Sequence, residues 1–203
     1  MICFELLEIV LKKKYQPWSF EELFWNEISG IDWKQIGMVF LLALIVFLPG
    51  IIRIIKKKST FKEVFLAYWI FVWGGIMLLI TILRREPGYA TEEVNPFPTW
   101  ENFGGSDFVT AFSIFNVLLF IPWGFFLRLY NHKKAGWKAF LITMLVGLVT
   151  TCTIEVTQLV TKTGYFEFTD MINNVLGCFI GSCFGASLIK KLRKSAEKTG
   201  DNP

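Results

Sequence analysis

Six polar side chains in this sequence stand where polar groups are costly. Glu155, Gln158, Asp170, Asn173 and Asn174 fall in or beside long apolar runs within one stretch, Thr151–Gly185, and Asn116 interrupts another run upstream. A carboxylate so placed needs a proton, a cation or a ligand to offset its desolvation. An ionisable residue at membrane depth is therefore a functional-site hypothesis by default. Two such acids have the chemistry to exchange protons or to hold a cation, and the amides offer donors and acceptors around them. Lys162, Arg84 and Arg85 are the nearest cations available to Glu155. Asp170 has a structural reading as well, as the N-terminal cap of a helix whose dipole favours negative charge. The asparagines also read as hydrogen-bond glue between helices.

Familiar catalytic and ligand-binding signatures are absent from the sequence. It contains no HExxH, no glycine-rich phosphate loop and no Cys/His cluster of metal spacing, so no metal, no cofactor and no catalytic residue is assigned. His132, the single histidine, sits among Lys133, Lys134 and Lys138 and reads as a solvated loop residue. Of Cys3, Cys152, Cys178 and Cys183, three lie inside apolar runs and read as small packing residues.

The elements that must position these groups are membrane spans. The chain has 203 residues, 53% hydrophobic and 19% charged, and its apolar blocks are long enough to cross a bilayer as helices. The net charge of +4 sits mostly between those blocks, which suits a membrane face and not a nucleic-acid surface. The expected fold is an all-α integral membrane protein of about five transmembrane helices, near Ile36–Ile55, Val64–Leu83, Phe108–Tyr130, Ala139–Val160 and Asp170–Ile189. Amphipathic, interfacial segments precede them over residues 1–35, where Glu5, Glu8 and Lys12 share one side of a run too short to span. Pro49 predicts a kink or fraying in the first span, and Pro122 predicts a kink in the third. The loop Arg84–Asp107 is acidic and its Asn95–Trp100 stretch, NPFPTW, reads as extended. Positive charge gathers after the first, third and fifth spans, which puts the C-terminus in the cytoplasm and the N-terminus outside. Lys12–Lys14 run against that orientation. A basic cytoplasmic loop closes residues 36–63, a four-helix domain covers 64–190, and a polar cytoplasmic tail, 191–203, reads as frayed.

With this topology Gly147, Thr151, Glu155 and Gln158 form one stripe on the fourth span, and Glu155 lies roughly 7–8 Å below its outer end at about 1.5 Å per residue. Asp170, Asn174, Gly177, Gly181 and Gly185 share a stripe of the fifth span, with Asn173 on its flank. Asn116 on the third falls roughly 12 Å below its outer end by the same rise. The glycines repeat a small-xxx-small spacing that lets another backbone approach, so they read as helix packing. The polar residues then converge as a pocket in the outer leaflet.

Four short motifs in order carry a family resemblance: Asn95-Pro96-Phe97, then Asn116/Phe120/Pro122/Gly124, then Glu155/Gln158, then Asp170/Asn174/Gly177. Together they make Val64–Ile189 resemble the VanZ-like family of integral membrane proteins. Many members carry an arginine shortly before the acidic stretch and paired aspartates within it. This chain has no arginine between Lys162 and Asp170, and Thr169 stands beside Asp170. The resemblance implies a multi-pass protein of the bacterial cytoplasmic membrane, related to low-level resistance to the glycopeptide teicoplanin. It implies no defined reaction. Joined to the residues, it points to binding of a lipid-linked cell-wall precursor, another membrane lipid or a lipoglycopeptide antibiotic. An intramembrane enzyme acting on a lipid head group, a transporter or flippase of lipid-linked precursors, and a helper subunit without a ligand are the competing classes.

Overall fold

The computed structural model describes residues 32–85 and 106–199, together with positions 21, 22, 25 and 30. Most of the interfacial segment 1–35 and the NPFPTW stretch lie outside the described residues. Among the described residues five long helices are seen: α1 Trp33–Ile55, α2 Phe61–Leu78, α3 Ser106–Tyr130, α4 Gly136–Thr161 and α5 Phe168–Thr199. Each of the five is long and apolar enough to cross a membrane, α2 by continuing into a π-helical turn at Leu79–Leu83. The protein is an all-α, multi-pass membrane protein.

Local chemistry sets where the helices begin and turn. Asp32 caps α1 by accepting from the Lys34 N–H at 2.9 Å. Thr60 and Glu63 form a reciprocal capping box that starts α2, the Thr60 N–H donating to Glu63 at 2.9 Å and the Glu63 N–H donating to Thr60 at 3.3 Å. Pro49 does not fray its helix, and α1 runs unbroken through it, as α3 does through Pro122. The fifth helix also outlasts its apolar run. It does not fray at Lys190 but continues to Thr199, with Arg193 donating to the His132 carbonyl at 3.0 Å and so tying the tail to the α3–α4 loop.

The bundle closes around four side chains contributed by four helices: Met77 of α2, Phe120 of α3, Ile154 of α4 and Cys178 of α5. Trp73 adds a tie, its indole N–H donating to the Leu119 carbonyl at 2.8 Å. The most intimate contact joins α3 and α5, which run parallel. Gly177, Gly181 and Gly185 lie against Val117, Ile121 and the Phe125–Arg128 turn, and Gly124 of α3 faces the Cys178 carbonyl in return. A Cβ placed on Gly181 would collide with the Ile121 carbonyl oxygen, and one on Gly124 with the Cys178 carbonyl oxygen. Lipid tails are as apolar as leucine, so helices in a bilayer hold together by such close packing and not by hydrophobic exclusion. α4 crosses back antiparallel over this pair. α1 stands outermost, touching α2 where Gly50 meets Val64 and Gly75 meets Val39.

Basic side chains gather at one end of the bundle. Arg53, Lys56, Lys57, Lys58 and Lys62 close α1–α2, Lys133 and Lys134 close α3–α4, and Lys190, Lys191 and Arg193 extend α5. Lys133 pairs with Glu63 at 2.7 Å across this end. Arg128 belongs to the helix and not to the loop after it: it is 8% exposed, and Gly185 packs against its Cβ and Cγ. Glu155, Glu167, Asp170 and Arg85 occupy the other end.

The glycine seam makes a direct prediction. Gly181→Ala forces α3 and α5 apart and lowers stability by about 1–3 kcal/mol, visible as a reduced thermal midpoint in detergent. Gly37→Ala, at a position with nothing within 4 Å of the added carbon, leaves the midpoint unchanged or raises it. Equal midpoints for both variants would show that the two backbones do not meet here.

Candidate functional site

The acidic end of the bundle is assembled from three chain reversals. α2 ends by widening. The Arg84 N–H reaches back five residues to the Leu79 carbonyl at 3.0 Å, and the Arg85 N–H bonds Ile82 at 3.2 Å. Neither takes the Thr81 carbonyl, which instead accepts from the Gln158 amide at 3.0 Å. A π turn of this kind is rare and recurs at functional sites. Here it exposes a backbone acceptor to α4 and turns Arg85 out over the helix ends.

The α4–α5 reversal is equally tight. Lys162 takes a left-handed conformation (φ 57°), and the Thr163 N–H bonds back to the Gln158 carbonyl at 3.0 Å. This is the reach-back of a Schellman closure. Gly164 follows in a crowded place, where a Cβ would lie 2.8 Å from an Arg85 guanidinium nitrogen and 3.2 Å from the Gln158 amide. The missing side chain lets the guanidinium rest on the hairpin. The chain then returns to the level of Glu155, and the Glu167 N–H donates to the Glu155 carboxylate at 3.0 Å. Glu155 is 1% exposed.

Asp170 follows in the first turn of α5, where the Asn116 amide of α3 hydrogen-bonds its carboxylate. One guanidinium, Arg85, lies within electrostatic range of Glu155, Glu167 and Asp170 together. Glu167 belongs to the connection outside the helices. Burial pushes its carboxyl up to about 7, the charge of Asp170 adds to that, and Arg85 opposes it. The group is poised to exchange a proton near neutrality. Among the described residues no group of three His, Cys, Asp or Glu side chains is arranged to hold a metal ion.

The residues singled out by sequence separate into three places. Asn116, Glu155, Gln158 and Asp170 meet at the acidic end. Asn174 lies deeper, 3% exposed, its amide donating to Thr151 at 2.8 Å while its own oxygen has no hydrogen-bond partner. The Asn173 side-chain nitrogen is buried and likewise without a partner. Gly177, Gly181 and Gly185 line the α3–α5 seam and not the acidic cluster. His132 is half-buried at the opposite end, its ring nitrogen 2.9 Å from the Leu129 carbonyl.

Two members of the cluster come from outside the predicted set. Sequence marks Arg85 only as one of three cations near Glu155, beside Arg84 and Lys162, and it does not mark Glu167 at all. The signal for Glu167 is the shortness of the connection. A chain that reverses within a few residues must bring an acid just before the fifth span back toward one just inside the fourth.

Residues 36–189 match the model of the VanZ/LLP1 family. The chain belongs to that family. No curated protein and no solved structure matches it. The match takes in α1 as well as the four helices that follow it. Within this VanZ/LLP1 protein the motif residues serve different ends. Phe120 fills the core, Gly124 and Gly177 let α3 and α5 touch, and Asn116, Glu155, Gln158 and Asp170 form the polar cluster. The arginine missing before Asp170 has a counterpart in space, because Arg85 reaches the same carboxylate from the end of α2.

The raised Glu167 pKa fixes the sign of a pH effect. The folded protein holds this proton more tightly than the unfolded chain, whose glutamates titrate at about 4.5. That contribution is full below pH 4.5 and is lost as pH rises through about 7. The thermal midpoint in detergent falls between pH 5 and pH 8, and Glu167→Gln flattens part of the slope. An unchanged slope in that variant would mean that Glu167 is solvated as an ordinary surface acid.

Proposed function

We propose that this protein acts in the bacterial cell envelope and lowers susceptibility to glycopeptide and lipoglycopeptide antibiotics such as teicoplanin. The acidic cluster binds either a lipid-linked envelope component or the drug itself. The observation that carries this reading is the burial of Glu155 beside Glu167, Asp170 and Arg85 at one membrane end. The carboxylates accept hydrogen bonds from hydroxyl and amine groups, and the guanidinium pairs in bidentate fashion with a phosphate or carboxylate. A head group that carries both kinds of function, as a saccharide precursor on a lipid phosphate or a glycopeptide does, matches this mixture.

The positive-inside rule sets the side of the membrane. With the basic ends of α1, α3 and α5 in the cytoplasm, the cluster belongs to the outer leaflet, where lipid-linked precursors and antibiotics are both encountered. The N-terminus then lies outside and the C-terminus inside.

A second reading draws on Glu167, whose carboxyl is pushed up to about 7 by burial, beside two further acids. That is the arrangement of a proton-transfer pair, and an intramembrane enzyme acting on a lipid head group would use it. Matched membrane expression of wild type, Glu155→Gln, Asp170→Asn and Arg85→Gln in a susceptible Gram-positive host tests the binding reading. Wild type reduces teicoplanin susceptibility and surface binding of a fluorescent lipoglycopeptide, and the three variants lose both effects. Variants that behave as wild type would make the cluster structural. A wild type without effect on the drug, together with altered envelope lipids that revert in Glu155→Gln, would favour the enzyme.

A further inference from the structure

A cavity of about 340 Å³ lies between α1 and α2 at the basic end, remote from the acidic cluster. By register its lining is graded along the membrane normal. Arg53, Lys58 and Ser59 line it at the helix ends, while Phe47 of α1 lies roughly 9 Å deeper than Arg53 at about 1.5 Å per residue. Phe71 of α2 is deeper still relative to the start of its own helix. One site therefore joins cations and a hydroxyl at the interface to an aromatic, apolar wall within the span.

The turn between the helices holds the two cations together. Lys57 adopts a left-handed conformation (φ 53°), and the Lys58 N–H donates to the Arg53 carbonyl at 2.8 Å. The acid in the lining, Glu63, is already engaged by the Lys133 ammonium at 2.7 Å and by the Thr60 N–H at 2.9 Å. Among the described residues Arg53 and Lys58 form no ion pair. The site thus offers positive charge, and the charge that would hold a cation is spent inside the protein.

We propose that this cavity binds an anionic phospholipid. The phosphodiester sits between the Arg53 guanidinium, the Lys58 ammonium and the Ser59 hydroxyl, and one acyl chain runs along Phe47 and Phe71. Basic pockets between transmembrane helices on the cytoplasmic side recognise such head groups, and the planar guanidinium fork matches phosphate geometry. Free phosphate shares the head-group chemistry but has no use for the apolar wall, which decides for the lipid.

The test uses the full-length protein in detergent, titrated with phosphatidylglycerol, phosphatidylcholine or inorganic phosphate. Thermal midpoints and native mass spectra of retained lipid are the readouts. Phosphatidylglycerol raises the midpoint and is retained, whereas phosphatidylcholine and inorganic phosphate do neither. Arg53→Gln and Lys58→Gln each weaken phosphatidylglycerol binding by about fivefold, the worth of one basic residue near a charged membrane surface. Lys190→Gln, which removes an exposed cation from the same end of the bundle, leaves it unchanged. Lys58 lies in an exposed turn, so its variant decides the matter even if Arg53→Gln fails to fold. Equal losses in Lys190→Gln, or equal protection by phosphatidylcholine, would reduce the effect to general attraction and overturn the site. Protection by inorganic phosphate alone would overturn the lipid as occupant.

Discussion

The meeting of Asn116 and Asp170 at the acidic end depends on how closely α3 and α5 approach one another. Parallel helices cannot be joined by a short loop, so the chain must cross back through α4 before α5 can lie beside α3. Once there, the pair is held by backbone packed on backbone, with Gly177, Gly181 and Gly185 against Val117, Ile121 and the Phe125–Arg128 turn. The seam fixes the relative height of the two helices, and with it the level at which Asn116 meets Asp170. A larger side chain anywhere along it would separate the amide from the carboxylate without touching either. The packing glycines and the polar residues are therefore parts of one device, even though they occupy different places.

The bilayer imposes a second constraint, that polar groups find partners inside the protein. α4 meets it locally. Thr143, Thr150, Thr153, Thr157 and Thr161 each donate to the carbonyl four residues earlier, at 2.6–2.8 Å, so these hydroxyls are spent within the helix. The longer side chains must look further, and they do so across helices: Gln158 to Thr81, and Asn174 to Thr151. The acids are the hardest groups to satisfy. Glu155 uses a backbone N–H from the hairpin that follows it, which is within reach only because the Lys162–Gly164 reversal is tight.

Apolar run length made the five spans legible in the sequence, because the thickness of hydrocarbon sets a minimum that few soluble segments reach. What run length cannot convey is how helices end. The π turn at Leu79–Leu83 has no composition of its own, and the Thr81 carbonyl it leaves open accepts from Gln158 of another helix. The extension of α5 past Lys190 brings Arg193 to the His132 carbonyl, in a loop 61 positions earlier. At the site, Glu155, Gln158, Asp170 and Asn174 stand out because each falls in or beside a long apolar run and shares a stripe of its helix. Glu167 interrupts nothing, since it lies between the spans. Arg85 looks like an ordinary loop cation until the fold places Gly164 beneath it.

The position of Arg85 changes how the family pattern should be read in this chain. An arginine just before the acidic stretch would be fixed to the α4–α5 hairpin and would move with it. Here the cation comes from the end of α2, while the carboxylates come from α4, the hairpin and α5. Charge balance at the site thus depends on two separate reversals meeting, and any ligand that pairs with the guanidinium must compete with three acids from a different part of the chain. A phosphate or carboxylate arriving at Arg85 would draw off the positive charge that opposes the upward push on Glu167 and raise the proton affinity of that carboxyl. Arrival of an anion at Arg85 and uptake of a proton by Glu167 are therefore linked by electrostatics alone.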